Sequence, residues 1–257
     1  MSSNDSIKKT LIVAFSLCIV CSVIVSTAAV VLKPAQEVNK TLDRKRNILA
    51  AAGMLDGERS VEEQFAQVST RVVDLRTGKF SDEADPEKYD QRKAAKDPSM
   101  SDALDGEVDI AKVARREHFA LVYMVKNAGG DIDKIILPIH GAGLWSTLYG
   151  FVALEADGNT IAGIGFYEHG ETPGLGGEVD NPRWKSIWPG KQVYRDEQVE
   201  IGLIKGTVNP QSADAPWQVD GLAGATLTAR GVTNLVQFWL GENGFAPFLN
   251  NLKSGEA

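Results

Sequence analysis

The sequence contains little cysteine and no excess of positive charge, and both features exclude classes of protein. Only two of its 257 residues are cysteine, Cys18 and Cys21, and both lie in one apolar run. The rest of the chain therefore has no structural disulfide, cysteine nucleophile or thiolate metal site. The net charge of -7 argues against a nucleic-acid partner held by its phosphates. The composition, 43% hydrophobic and 24% charged, is that of an ordinary globular protein.

Recognisable catalytic and metal-binding motifs are also absent. His118, His140 and His169 show no i, i+3 or i, i+4 pairing and no carboxylate at metal spacing, so we predict no zinc or iron site. No serine-hydrolase elbow or kinase motif occurs. Cys18 and Cys21 match the C-x-x-C redox spacing, but inside an apolar run of lipid length we interpret them as small-residue filling.

One long apolar run lies near the N-terminus. Residues 11–32 carry no charge and would form about 33 Å of helix, against a hydrocarbon core of about 30 Å. A cleaved signal peptide is the alternative, but its apolar core is about 7–15 residues long. We therefore predict an uncleaved transmembrane helix over 11–32 after an N-terminal tail over 1–10. More Lys and Arg follow the run than precede it, so charge counting does not favour export of the C-terminal bulk.

The next part of the chain, 33–110, is predicted to be a helical and polar connecting region packed on the following domain. Apolar spacing predicts a helix over 40–55, with Gly57 as its stop, and a short one over 61–68. Residues 80–109 are polar and charged, which favours a solvated connection with at best partial order.

A domain over 111–257 is predicted to be α+β, with an antiparallel sheet flanked by helices. Short β-branched and aromatic segments predict strands over 118–126, 134–139, 148–154, 160–167 and 199–205. Asp157-Gly158 is predicted to be the turn of a hairpin. Apolar spacing predicts a final helix over 228–240, with Gly241 as its C-cap.

Two glycine-rich stretches are candidate ligand sites. Residues 169–177 (HGETPGLGG) follow a strand, and their backbone can approach a ligand closely, although a simple Pro-Gly turn is the alternative. Residues 220–228 (DGLAGATLT) precede the last helix, where unpaired N–H groups favour a phosphate. Capping of that helix by Thr226 or Thr228 would also explain the hydroxyls.

Tryptophans mark two further stretches. Residues 141–147 (GAGLWST) place Trp145 between two strands, where it would stack on an aromatic ligand or, as the safer expectation, fill the core. Residues 181–191 (NPRWKSIWPGK) are compatible with a lid beside a ligand or with a packed surface loop.

Taken together, these stretches resemble a known family. The sequences GAGLWST, HGETPGLGGEVDNPRWKSIWPGK and DGLAGATLT, in this order behind one N-terminal span, are similar to the C subunits of bacterial sodium-translocating NADH:quinone reductases. The core of those subunits is an FMN-binding domain. The resemblance covers essentially the whole chain.

The resemblance implies a covalent flavin. The family joins FMN through a phosphoester to the last threonine of a pattern like Asp-Gly-x-x-Ser/Thr-Gly-Ala-Thr. Thr226 is the implied acceptor, and Thr228, two residues past the pattern, is the disfavoured alternative. Ala223 stands where Ser or Thr is usual, so we expect attachment to persist with weaker recognition by the modifying enzyme. The implied FMN-binding residues are Asp220, Gly224, Ala225, Thr226, Glu171, Thr172, Gly174, Leu175, Gly176 and Trp145.

The resemblance also implies the setting. The chain would be an inner-membrane protein with a periplasmic domain, assembled with the membrane and NADH-oxidising subunits and modified by a flavin transferase. It would relay electrons from an iron–sulfur centre to a membrane flavin in step with Na⁺ export, without being catalytic alone. The FMN-carrying G subunit of the Rnf complex, a membrane-tethered flavin sensor and a purely structural anchor without covalent flavin are the alternatives.

Overall fold

The computed structural model describes residues 6–257, which divide after Asp43 into two compact units. Residues 1–5 of the predicted tail lie outside the described residues. The prediction of one long apolar N-terminal helix is confirmed. Among the described residues, only helix α1 (Ile7–Ala51) is long and apolar enough to cross a membrane. The helix continues beyond 11–32 at both ends.

The predicted helix over 40–55 is the last part of α1 and ends earlier than expected. Gly53, not Gly57, stops it: Gly53 has φ +67°, and the Met54 N–H donates to the Leu49 carbonyl at 2.8 Å. This is the Schellman arrangement, which pairs one of the last helical carbonyls and needs a left-handed residue.

The unit Arg44–Ala257 is α+β, the fold class predicted for residues 111–257. Its strands are β1 (Val68–Asp74), β2 (Lys79–Phe80), β3 (Ser101–Ala103), β4 (Arg115–Glu117), β5 (Phe119–Lys126), β6 (Ile132–Ala142), β7 (Thr147–Glu155), β8 (Ile161–Glu168), β9 (Tyr194–Arg195), β10 (Gln198–Val199), β11 (Gly202–Leu203) and β12 (Gln218–Val219). Its further helices are α2 (Val61–Phe65), α3 (Gln91–Ala94), α4 (Pro182–Lys185), α5 (Thr226–Leu240) and α6 (Ala246–Ser254).

Six strands form the central antiparallel sheet, in the order β2-β1-β5-β6-β7-β8. The four strands predicted between 118 and 167 are present, and the Asp157 carboxylate holds the predicted hairpin turn by accepting from Asn159 and Thr160 N–H. The single strand predicted over 199–205 is wrong in extent, because Val199 ends β10, which pairs antiparallel with β9, and Gly202–Leu203 forms a separate strand parallel to β12. Strand β1 was not predicted.

Both faces of the sheet are covered by apolar side chains. On one face, Val232, Leu235 and Trp239 of α5 pack in a buried cluster with strands β5 to β8. On the other, Ile48 and Leu49 at the end of α1 pack against β1, β5 and β7. Full burial of such a side chain contributes about 1.5–3 kcal/mol, so these two layers hold the sheet rigid.

Most residues of the segment 80–109 are exposed, as expected, but the segment is more ordered than expected. The segment contains α3 and β3, and its polar groups bind the sheet. The Tyr89 hydroxyl donates to the Phe119 carbonyl at 2.8 Å. The buried Gln91 amide donates to Glu117 at 2.5 Å and accepts from Leu121 N–H at 3.1 Å. Hydrogen bonds replace apolar packing here, and a prediction based on hydropathy misses them.

Candidate functional site

Thr226 is the first residue of helix α5, which begins two residues earlier than predicted. Ala225 is the N-cap, and no side chain caps the first turn among the described residues. The alternative that Thr226 or Thr228 is a capping residue is therefore wrong. The Thr226 side chain is exposed, whereas Thr228 is 1% exposed.

Thr226 opens onto a cleft of about 600 Å³. Lys205 and Arg230 also line it, and Arg230 lies one helical turn beyond Thr226. Within residues 6–257, neither cation has an ion-pair partner. Two unpaired cations beside a helix N-terminus make the cleft favourable for a phosphate group.

The glycine-rich loop before α5 is fixed by hydrogen bonds to its neighbours. The Asp220 carboxylate accepts from Val208 N–H at 2.8 Å, and the Asp220 carbonyl accepts from the Trp184 indole at 3.0 Å. Gly224 has φ +71°, a conformation that glycine adopts without strain. Asp220, predicted to bind the flavin, thus holds the walls of the cleft together.

The stretch over 181–191 is a packed structure rather than a lid. Trp188 is fully buried and Trp184 nearly so, and the two rings meet edge to face. Trp184 therefore holds the cleft residue Asp220 through its indole N–H, and Trp188 packs against Trp184.

Glu171 connects the start of α5 to the other two stretches that the sequence singles out. It is 5% exposed, and its Oε1 accepts from the N–H groups of Leu144, Trp145 and Ser146 at 3.0, 2.9 and 3.4 Å. Its Oε2 accepts from the Thr228 hydroxyl at 2.6 Å. The two predicted glycine-rich stretches and the Trp145 stretch therefore meet at one carboxylate.

The start of the 169–177 stretch is also tied down. His169 Nδ1 accepts from Glu171 N–H at 3.2 Å, so the proton lies on Nε2, which donates to Asp180 at 2.8 Å. Thr172 and Gly174 are exposed, and the Thr172 carbonyl accepts from Leu175 and Gly177 N–H. Gly176 opens a short 3₁₀ helix and is buried.

The rim of the site is apolar and exposed. Trp145 is 70% exposed, so the expectation that it fills the core is wrong. The other exposed rim residues are Leu144, Leu175 and Leu227, and the four are the most exposed large apolar side chains of Arg44–Ala257. Leu175 lies against Gly224. A flat aromatic ligand would find apolar surface here beside the phosphate seat.

Sequence reasoning missed Lys205 and Arg230. Arg230 follows Thr226 by four residues in a helix, a spacing that puts both on one face and could have identified it. Lys205 comes from a distant loop and gives no such signal. The described residues contain no cluster of three His, Cys, Asp or Glu side chains that could hold a metal.

The chain is similar to known proteins over its whole length. The family model for the FMN-binding domain matches residues 143–241. The chain is 55% identical to the C subunit of the Na⁺-translocating NADH-quinone reductase of Pseudomonas aeruginosa over 262 residues, covering all of both chains. It is 48% identical to the equivalent C subunit of Yersinia pestis, covering 98% of this chain and 96% of the relative.

Solved structures give the same result. The crystal structure of NqrC from Shewanella oneidensis superimposes with a TM-score of 0.76 at 39% identity, covering 82% of this chain and 97% of the other. The crystal structure of the C subunit from Parabacteroides distasonis gives a TM-score of 0.65 at 28% identity, covering 85% and 96%.

Proposed function

The chain belongs to the family of C subunits of Na⁺-translocating NADH-quinone reductases, and from this premise we propose that it carries its FMN covalently on Thr226. Membership confirms the resemblance found in the sequence. The chain is the FMN-carrying electron-relay subunit of an oxidoreductase complex, and α1 anchors it in the membrane.

The observation that carries the proposal is the exposed Thr226 hydroxyl at the first position of α5, in a cleft with two unpaired cations. A phosphoester there keeps one negative charge, which Lys205, Arg230 and the helix N-terminus stabilise. The exposed rim around Trp145 and Leu175 supports a flavin ring. FMN supplies the redox chemistry, while the chain fixes its position and surroundings.

The complex implies further features that we include in the proposal. The folded unit lies on the periplasmic side of the inner membrane, and the chain passes electrons between the iron–sulfur centre and the membrane flavin of neighbouring subunits. A flavin transferase is its transient partner. Cleavage of the Arg44–Ala257 unit by protease added to spheroplasts, but not to inverted vesicles, is the result expected for this orientation.

The attachment is tested by intact mass and in-gel flavin fluorescence of the denatured chain, co-produced with the transferase. Wild type and Thr226→Ser, which keeps a hydroxyl, should gain the mass of one FMN less water, and Thr226→Val should not. Membranes carrying Thr226→Val should assemble the complex and lose NADH:quinone activity. Retained activity would favour a flavin sensor, and an unmodified wild type would contradict the proposal.

A further inference from the structure

We propose that Glu171 is a positioning residue of the flavin site rather than a flavin ligand. Its carboxylate locks the tryptophan loop, residues 143–146, to the first turn of α5. The inference rests on the proposed attachment at Thr226 for its functional consequence, while the lock itself is a property of the flavin-free chain.

Both oxygens of Glu171 are already used. Oε1 accepts three consecutive backbone N–H groups of the tryptophan loop, and Oε2 accepts the Thr228 hydroxyl. A nearly buried carboxylate is stable only when such donors replace its water, and hydrogen bonds to a charged acceptor are roughly twice as strong as neutral ones. With four donors on its two oxygens and 5% of its surface exposed, Glu171 offers a flavin little accessible surface for a direct contact.

The carboxylate also has no room to move. A Cβ atom added at Gly143 would lie 2.5 Å from Oε1, and one added at Gly176 would lie 2.6 Å from Oε2. Backbone therefore approaches the carboxylate from two sides, at positions where a side chain would collide with it.

The hydrogen bonds of Glu171 join the two ends of the proposed FMN site. Thr228 shares the first turn of α5 with Thr226, which would bear the phosphoester, and Trp145 lies on the rim that would contact the ring. Glu171 thereby fixes the distance between phosphate seat and ring surface. Loss of either hydrogen-bonding arm should loosen the same loop.

Amide hydrogen exchange on the full chain in detergent, produced without the transferase, tests the lock. Glu171→Ala and Thr228→Val should each raise the exchange rates of the tryptophan-loop amides, by about tenfold or more for Glu171→Ala, while Thr228→Ser should retain wild-type protection. Unchanged protection in Glu171→Ala would overturn the inference. This measurement stands even if no flavin is attached.

The flavin-loaded chain gives a second readout. A positioning role predicts that Glu171→Gln and Thr228→Val shift the flavin midpoint potential in the same direction, while Thr228→Ser leaves it unchanged. A shift in Glu171→Gln alone would mean that the Glu171 charge acts directly on the flavin, and would overturn the inference. A wild type that takes up no flavin would count against the proposed function instead.

Discussion

Two regions of the Arg44–Ala257 unit are each organised around a buried glutamate, and they differ in how the carboxylate is paired. Glu171 has hydrogen-bond donors on both oxygens. Glu117, where the polar segment meets the sheet, receives the Gln91 amide on one oxygen, and its other oxygen has no partner within residues 6–257. A fully paired carboxylate stabilises the site that it joins, whereas a half-paired one makes its region sensitive to pH.

The largest effect is expected from Glu117→Gln. Burial raises the pKa of Glu117 from its ordinary value of 4.5 to about 7. The folded state thus disfavours the charged form, so the free energy of unfolding falls as pH rises from about 4.5 to about 7, by roughly 3 kcal/mol. Glutamine does not titrate. The difference in free energy of unfolding between the variant and the wild type, measured in urea, should therefore shift in favour of the variant by this amount between pH 4.5 and pH 8.

The exposed Glu107→Gln serves as the matched control, since it removes the same carboxyl group from a solvent-facing position. It should follow the wild-type pH profile. If Glu107→Gln and Glu117→Gln gave the same profile, Glu117 would not be the source of the pH dependence.

Gly176→Ala should lower the free energy of unfolding by a smaller amount. The substitution disturbs the hydrogen bonds of Glu171 and so makes its region more like the region around Glu117. The new methyl would lie 2.5 Å from the Thr228 hydroxyl and 2.6 Å from Glu171 Oε2, and such overpacking costs about 1–3 kcal/mol. Unfolding in urea measures it. Gly106→Ala is the control, because no described atom lies within 4 Å of a Cβ added there; equal stability of both variants would show that the carboxylate can yield.

The smallest change in the free energy of unfolding is expected from Arg92→Lys, at the point where the regions around Glu117 and Glu171 are connected. Arg92 follows Gln91 on α3, forms a two-pronged ion pair with Glu168 at 2.7 Å and lies 3.6 Å above the Tyr149 ring. Lysine cannot reproduce either geometry. Because both partners are partly exposed, Arg92→Lys should lower the free energy of unfolding by at most about 1 kcal/mol. A double-mutant cycle with Glu168→Gln should assign most of that loss to the ion pair. If the effects of the two substitutions on the free energy of unfolding were additive, the ion pair would not be the source of the loss.

Local sequence patterns identify the regular parts of this fold. Alternating β-branched and aromatic residues predict β5 to β8, and the apolar spacing of Val232, Leu235 and Trp239 predicts α5. Strand β1 (VSTRVVD) carries a weaker form of the same signal and escapes notice because it follows a predicted helix. The polar segment over 80–109 escapes notice because its stability comes from hydrogen bonds made with distant strands.

The candidate site shows the same limit more sharply. Motifs find Thr226 and the two glycine-rich stretches, since each is a local pattern. The partners of Glu171 are not local: Trp145 lies 26 positions before it and Thr228 57 positions after it. Only the folded sheet brings them together, and so sequence alone predicts a ligand contact for Glu171 but not the four hydrogen bonds that its carboxylate accepts within the chain.

The strand order also bears on how the chain folds. Strands β5 to β8 are neighbours both in sequence and in the sheet, so each pairing closes a short loop, whereas β1 must close a loop over 75–118 to reach β5. Long loops cost more chain entropy and slow folding. The contacts of Glu171 require the β6–β7 turn, the end of β8 and a docked α5, so the Glu171 hydrogen bonds form only when parts that are distant in sequence have met. The cleft beside Thr226 likewise joins residues 203–207 to residues 220–233, so an enzyme that recognised the cleft itself would need both segments in place.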